Sequence, residues 1–209
     1  MLRDSAYWDE FYSLEHNEIK EPSKFAKFIF NNFLRNKSKA SLIEFGCGNG
    51  RDSLYFNAQG IDVVAIDGSH IAIESLQKQN QKASWICADF TAPLNLKDKF
   101  DICYSRFTLH AINDIAELGL IKNVKNLLKP SGLFVVEARS INDSKFGIGK
   151  AISQREFISD GHYRRFIDQD IFKANLIQNG FKIISIDESS EFAPTPGQNC
   201  VCIRVIASL

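Results

Sequence analysis

Residues 42–50 constrain the fold more than any other stretch of this chain. Leu42, Ile43 and Phe45 read as a short buried strand broken by one acid, Glu44. Gly46, Gly48 and Gly50 follow, with Cys47 and Asn49 between them. Alternating glycines permit a sharp turn and let another molecule lie against bare backbone. Beyond them Leu54, Tyr55 and Ala58 recur at helical spacing, so the loop opens a helix whose first N–H groups have no intrahelical partners. Strand, loop and helix N-terminus make a nucleotide-type binding corner at the carboxyl edge of a parallel sheet. An NAD-type fingerprint would place its third glycine at position 51, which is Arg51. Taken alone, the loop also reads as a structural tight turn.

Two further strand ends repeat the arrangement. Residues 61–66 make a second buried strand that stops at Asp67, Gly68 and Ser69. An acid about twenty residues beyond the first glycine, at a strand end, is placed to accept from ribose hydroxyls. The alternative is that Asp67 caps the helix expected over 69–80. A third strand, 84–88, ends in Asp89 and Phe90, where a turn aspartate ahead of Pro93 is the plainer reading. Together Glu44, the Gly46/Gly48/Gly50 loop, Asp67 and Asp89-Phe90 resemble the class I S-adenosylmethionine (SAM)-dependent methyltransferases, and the resemblance covers nearly the whole chain. It implies that Glu44, Gly46, Cys47, Gly48, Asn49 and Gly50 belong to the cofactor site, with Asp67, Gly68 and Ser69 at the ribose. It also implies that Asp89 accepts from the adenine amine, while Phe90 offers its N–H and an apolar contact. Phe45 is bulkier than the residue many members carry, and Arg51 and Asp52 add charge at the helix start, but neither removes a required group.

Residues 99–105 form a fourth strand whose end, Ser105, faces the methyl group in that family's fold. The segment after it contains no proline, which argues against the Pro-Pro motif of nucleobase-amine methylation. A helix from about Asn113 to the stop at Lys129–Gly132 leads to a fifth strand, 133–138. Residues 140–149 are loop-like, 161–166 are rich in cationic and aromatic side chains, and a helix from Asp168 and Asp170 runs to Gly180. Residues 181–186 and 200–206, joined through Pro194–Gly197, read as a terminal hairpin. The whole predicts an α/β fold: a doubly wound, mainly parallel seven-stranded sheet of Rossmann-like class I methyltransferase type with a C-terminal antiparallel hairpin. One domain is expected, divided into an N-terminal helical lid (1–40), a SAM-binding core (41–139), a substrate-recognition segment (140–168) and a C-terminal helix and hairpin (169–209). In the lid, Trp8, Phe11 and Tyr12 share one helical face, which either packs on the core or covers a sulfonium cation. A second helix starts at Pro22 or Ser23 with an apolar stripe of Phe25, Phe28, Ile29 and Phe33. Small glycan-modifying methyltransferases carry a similar aromatic opening and Pro-Ser-x-Phe-Ala turn, and that resemblance implies that Tyr12, Ser23 and Phe25 line the SAM pocket.

A hydroxyl acceptor needs a base as well as positioning. His110, after the fourth strand, and His162 are the candidates, each with a plainer alternative as a packed or solvated histidine. Arg106, Arg139, Arg164 and Arg165, with Tyr163, read as a clamp for phosphate or carboxylate, against the alternative of unrelated surface arginines or one paired to Glu137. The formal net charge is zero, which disfavours long nucleic acid. No run is long and apolar enough to span a bilayer, residues 1–8 are no signal peptide, and a cytoplasmic protein is expected. Five cysteines form no CxxC pair and no metal set, and Cys87, Cys103, Cys200 and Cys202 read as buried reduced thiols. The expected reaction is methyl transfer from SAM, leaving S-adenosylhomocysteine (SAH), to a small anionic acceptor of capsule or glycan biosynthesis. Thiol- or tellurite-type methylation and a non-catalytic SAM-binding partner are the alternatives.

Overall fold

The computed structural model describes residues 5–14, 21–37, 39–79, 82–159, 161–194, 197 and 199–209. Strands β1 (Ser41–Phe45), β2 (Asp62–Asp67), β3 (Ser84–Cys87), β4 (Phe100–Arg106) and β5 (Leu128–Arg139) pair in parallel. The three short strands β6 (Lys150–Ala151), β7 (Glu156–Ser159) and β8 (His162–Arg165) stand apart, and β9 (Lys182–Ser189) and β10 (Cys202–Ser208) close the chain. The main sheet has seven strands in the order β3-β2-β1-β4-β5-β10-β9, with β10 antiparallel to both of its neighbours. This is the expected doubly wound sheet with its terminal hairpin.

Period-two alternation along the strands divides the core between two faces. Ile43, Phe45, Cys103, Phe134 and Val136 pack with Leu120 and Val124 of α5 (Asp114–Leu127) and Phe172 of α6 (Gln169–Gln178). Leu42, Ala65, Tyr104 and Val135 face the other way. They join Phe25 and Ile29 of α2 (Lys24–Ile29), Phe56 of α3 (Arg51–Ala58) and Leu76 of α4 (His70–Gln79). The remaining helix, α1 (Ser5–Ser13), packs against α4.

Residues 150–165, to which the sequence assigns no element, form a small antiparallel sheet, β6-β7-β8, whose apolar support comes from the rings of Phe146, Phe157 and Phe166 at 5.4–6.0 Å. Each of its strands is too short to show a period in the sequence. Three local expectations need correction. Pro130 and Gly132 do not separate helix from strand: α5 stops at Leu127 and β5 runs straight through them. Phe28 is exposed and lies over the Arg204 guanidinium instead of in the core. Cys87 is exposed, because it ends a strand on the sheet's outer edge, whereas Cys47, Cys103, Cys200 and Cys202 are buried. Asn80 and part of the 194–197 connection lie outside the described residues. Among the described residues no helix is long and apolar enough to cross a membrane.

Candidate active site

Strand order reverses between β1 and β4, and such a switch point opens a crevice at the carboxyl ends of the two strands. The glycine loop lies there, tied to β2 because Gly46 and Cys47 both donate their N–H to the Ile66 carbonyl at 2.8 and 3.0 Å. Gly46 (φ +72°) and Gly48 (φ +55°) adopt the left-handed backbone that side chains disfavour. A Cβ on Gly46 would stand 2.6 Å from Thr108 Oγ1, and one on Gly48 would collide with the Tyr12 hydroxyl. The backbone is bare here because neighbours come this close.

Asp67, at the end of β2, accepts from the Gly48 N–H at 2.7 Å and the Ser69 N–H at 2.8 Å. Burial pushes its pKa up, opposed by these amides. The cap of α4 falls instead to Ser69, whose Oγ accepts from the Ala72 N–H at 3.2 Å and donates to Asp9 at 2.7 Å. That second bond docks α1 over the loop and sets Tyr12 against Gly48. Burial and the nearby charges of Asp67, Cys47 and Glu44 raise the Tyr12 pKa. A carboxylate offers about four acceptor sites, so Asp67 keeps capacity beyond its two amides.

Beneath the loop lies a buried polar network. Glu44 accepts from Ser53 Oγ at 2.5 Å, and burial together with the Asp52 charge drives its pKa well up. Asp52 accepts from the Ser23 N–H (2.8 Å), Ser23 Oγ (2.7 Å) and the Tyr104 hydroxyl (2.8 Å). Phe25 stacks on Tyr104 at 5.1 Å. Ser23 and Phe25, expected to line the pocket, are therefore committed to buried packing under α3, and Ser23 caps α2 through the Ala26 N–H. The Phe90 ring likewise packs in the core, beside residues such as Ile66 and Leu120. Asp89 Oδ1 accepts from Thr91 N–H and Oγ1 at 2.9 and 2.6 Å, the geometry of a turn aspartate.

At the other wall, the ends of β4, β5 and β8 meet around Phe107. This residue holds φ +57° while its N–H bonds the Glu137 carbonyl at 2.8 Å. Its ring has the Arg106 guanidinium at 4.2 Å, that of Arg139 at 5.5 Å and the His110 ring at 5.4 Å. His162, opening β8, stacks on Tyr7 of α1 at 4.3 Å and meets Trp8 edge-on at 5.2 Å. Three buried polar atoms here have no hydrogen-bond partner among the described residues: Ser105 Oγ, His110 Nδ1 and His162 Nδ1. Burial drives the His110 pKa well down, aided by Arg139, Arg164, His162 and Arg106. Burial and Arg164 lower that of His162 to about 4. These shifts favour the neutral imidazole, which has one acceptor nitrogen.

The arginine clamp is smaller than expected. Arg165 is fully buried, bonded to Asp114, to Glu117 at 2.6 Å and to the Leu109 carbonyl. Arg106 shares Glu137 with Arg204, each through Nε at 2.8 Å. Arg139 gives one nitrogen to Asp143 at 2.7 Å. Tyr163 is committed to Glu156 at 2.7 Å, and Arg164 is half-buried. Tyr7, Asp9, Asp52, Phe107 and Thr108 join the site without having been singled out for a role in it. Only Asp52 carried a local signal, a charge at a helix start.

A family model described as a methyltransferase domain matches residues 14–186. The chain belongs to that family. Curated relatives of this methyltransferase include the malonyl-[acyl-carrier protein] O-methyltransferase of Pseudescherichia vulneris, 30% identical over 100 residues, 47% of this chain and 39% of the relative. The probable SAM-dependent methyltransferase TehB of Haemophilus influenzae is 30% identical over 111 residues, 51% of this chain and 38% of the relative. These matches span less than two-fifths of the relatives' own length. Among solved structures, the glycopeptide N-methyltransferase MtfA with sinefungin superposes with a TM-score of 0.70 at 16% identity, covering 91% of this chain and 94% of that one. A SAM-dependent methyltransferase from Methanosarcina mazei gives 0.73 at 20% identity, covering 86% and 96%. This methyltransferase therefore has the class I fold of SAM-dependent enzymes, with its glycine loop at the switch point.

Proposed function

We propose that this methyltransferase moves the methyl group of SAM onto a small anionic acceptor, phosphorylated or nucleotide-linked, at the mouth framed by β4, β5 and β8. The observation that carries this reading is the set of unpartnered buried atoms there, Ser105 Oγ, His110 Nδ1 and His162 Nδ1, beside the Arg139 guanidinium. When bound, SAM supplies an electrophilic methyl group on a positively charged sulfur. The residues present fit it. The loop has no room for side chains at 46 and 48, Asp67 keeps acceptor capacity for ribose hydroxyls, and Asp89 stands at the next strand end. Tyr12, Cys47, Asn49, Gly50, Gly68 and Ser69 complete the cradle, with Ser105 toward the reacting centre.

The chain's own task is then positioning and proton removal. His110 or His162 takes the proton of an acceptor hydroxyl at Nδ1, while Arg139 and Arg164 hold the acceptor's anionic group. The lid, core, recognition and C-terminal divisions at 1–40, 41–139, 140–168 and 169–209 are part of this reading. So are a cytoplasmic setting and a place in capsule or glycan biosynthesis, supported by the aromatic opening around Tyr12. A second reading is favoured by the malonyl relative: an acceptor carboxylate is itself the nucleophile and the histidines only shape the mouth.

Calorimetry with SAH and NAD, followed by a labelled-SAM screen over phosphosugars, nucleotide sugars and carboxylates, tests the proposal. SAH should bind, NAD should not, and Asp67→Ala should weaken SAH by about 1–3 kcal/mol. NAD binding without any response to SAH would sink it. Turnover that survives both His110→Ala and His162→Ala selects the carboxylate nucleophile.

A further inference from the structure

The mouth holds a contradiction that the proposed reaction must resolve. A general base has to keep the proton it removes, yet His110 stands where a proton is hardest to keep. Arg106 from β4, Arg139 from β5, and His162 and Arg164 from β8 all act on it electrostatically. Phe107 fixes two of these guanidiniums and the imidazole around one ring. The acids nearby are already engaged: Glu137 by Arg106 and Arg204, Asp143 by Arg139, and Asp114 and Glu117 by Arg165. Nδ1 of His110 is buried and has no partner among the described residues.

We infer that His110 is the base and that it works only once the acceptor's own anionic group lies against Arg139 and Arg164. Negative charge on the acceptor is then required for the chemical step and not for binding alone. The inference rests on the methyl-transfer reading above. An oxyanion there offsets the cations that oppose the imidazolium, and the low dielectric of the buried mouth magnifies that effect. In the step itself the acceptor O–H bond breaks and its proton passes to Nδ1 of His110. The acceptor oxygen forms the new bond to the methyl carbon as the carbon–sulfur pair returns to sulfur, giving SAH and the methylated acceptor. Charge balances, since one cation at sulfur is replaced by one on the imidazole. His162, its own pKa lowered to about 4, is held by Tyr7 and Trp8 of α1 beside the mouth and adds no net charge to this set at neutral pH.

The test uses sulfate, whose charge stays fixed across the pH range, in place of the unidentified acceptor. Imidazole signals of the full chain with SAH are followed against pH in sulfate and in chloride of equal ionic strength, with exposed His70 as the internal reference. Sulfate should raise the His110 midpoint by about one unit, a tenfold gain in proton affinity. Arg164→Gln should abolish that response while SAH still binds, which shows the variant to be folded. Sulfate that binds without moving His110 overturns the inference, and so does a failure of sulfate to bind while SAH binds normally. A chain that binds no SAH takes down the methyl-transfer reading itself, and this inference with it.

Discussion

Arg164 and Arg165 are neighbours in sequence and opposites in structure. A strand sends successive side chains to opposite faces, so β8 turns Arg165 inward to Asp114 and Glu117 and leaves Arg164 half-buried on the other side. Extended geometry predicts that only one of the pair reaches a substrate, and the burial pattern identifies Arg165 as the one withdrawn. The acid next along the chain, Asp168, is instead the cap of α6, accepting from the Asp170 and Ile171 N–H groups. Removing one side of a buried ion pair leaves the other side uncompensated. Arg165→Met should therefore cost about 3–5 kcal/mol in denaturant unfolding. Arg164→Ala should cost less than this in the same measurement. Equal losses would mean that burial does not separate their roles.

Among the elements, α1 is the one whose placement the site depends on most. It is joined to the core through Asp9, which accepts from Ser69 Oγ at 2.7 Å and the Ile71 N–H at 3.3 Å, and through Tyr12 over Gly48. The same helix stacks Tyr7 on His162, so one element touches both the glycine loop and β8. Gly48→Ala should destabilise through two separable causes, left-handed strain and collision with the Tyr12 hydroxyl. In a Tyr12→Phe background the collision is eased and the strain remains. A double-mutant cycle by thermal unfolding should show coupling of about 1 kcal/mol. Strict additivity would mean that α1 does not rest on the loop in solution.

At the scale of the whole molecule, neutral buried histidines make folding sensitive to acid. His162 binds its proton with a midpoint of about 4 against an ordinary 6.5, and His110 also lies well below that value. Both take up protons more readily when unfolded, so their contribution is complete above pH 6.5 and is lost as the pH falls toward 4. Melting temperatures over this window should fall less steeply for His162→Gln than for wild type, and identical slopes would refute the buried, neutral state. The sheet and its glycine loop are legible in one dimension, because alternation of apolar residues, three glycines and acids at strand ends are local signals. The same reading brings His110, His162 and four arginines near one sheet edge. Which of them are withdrawn into buried pairs depends on contacts between distant residues. The bonds that settle the matter join residues 51 positions apart in Arg165–Asp114, 60 in Ser69–Asp9 and 31 in Arg106–Glu137. The small sheet over 150–165 and the left-handed Phe107 were equally illegible, since short strands have no period and positive φ in a phenylalanine has no sequence mark. Pairing across such separations depends on packing, and packing is fixed only when the faces of the sheet close.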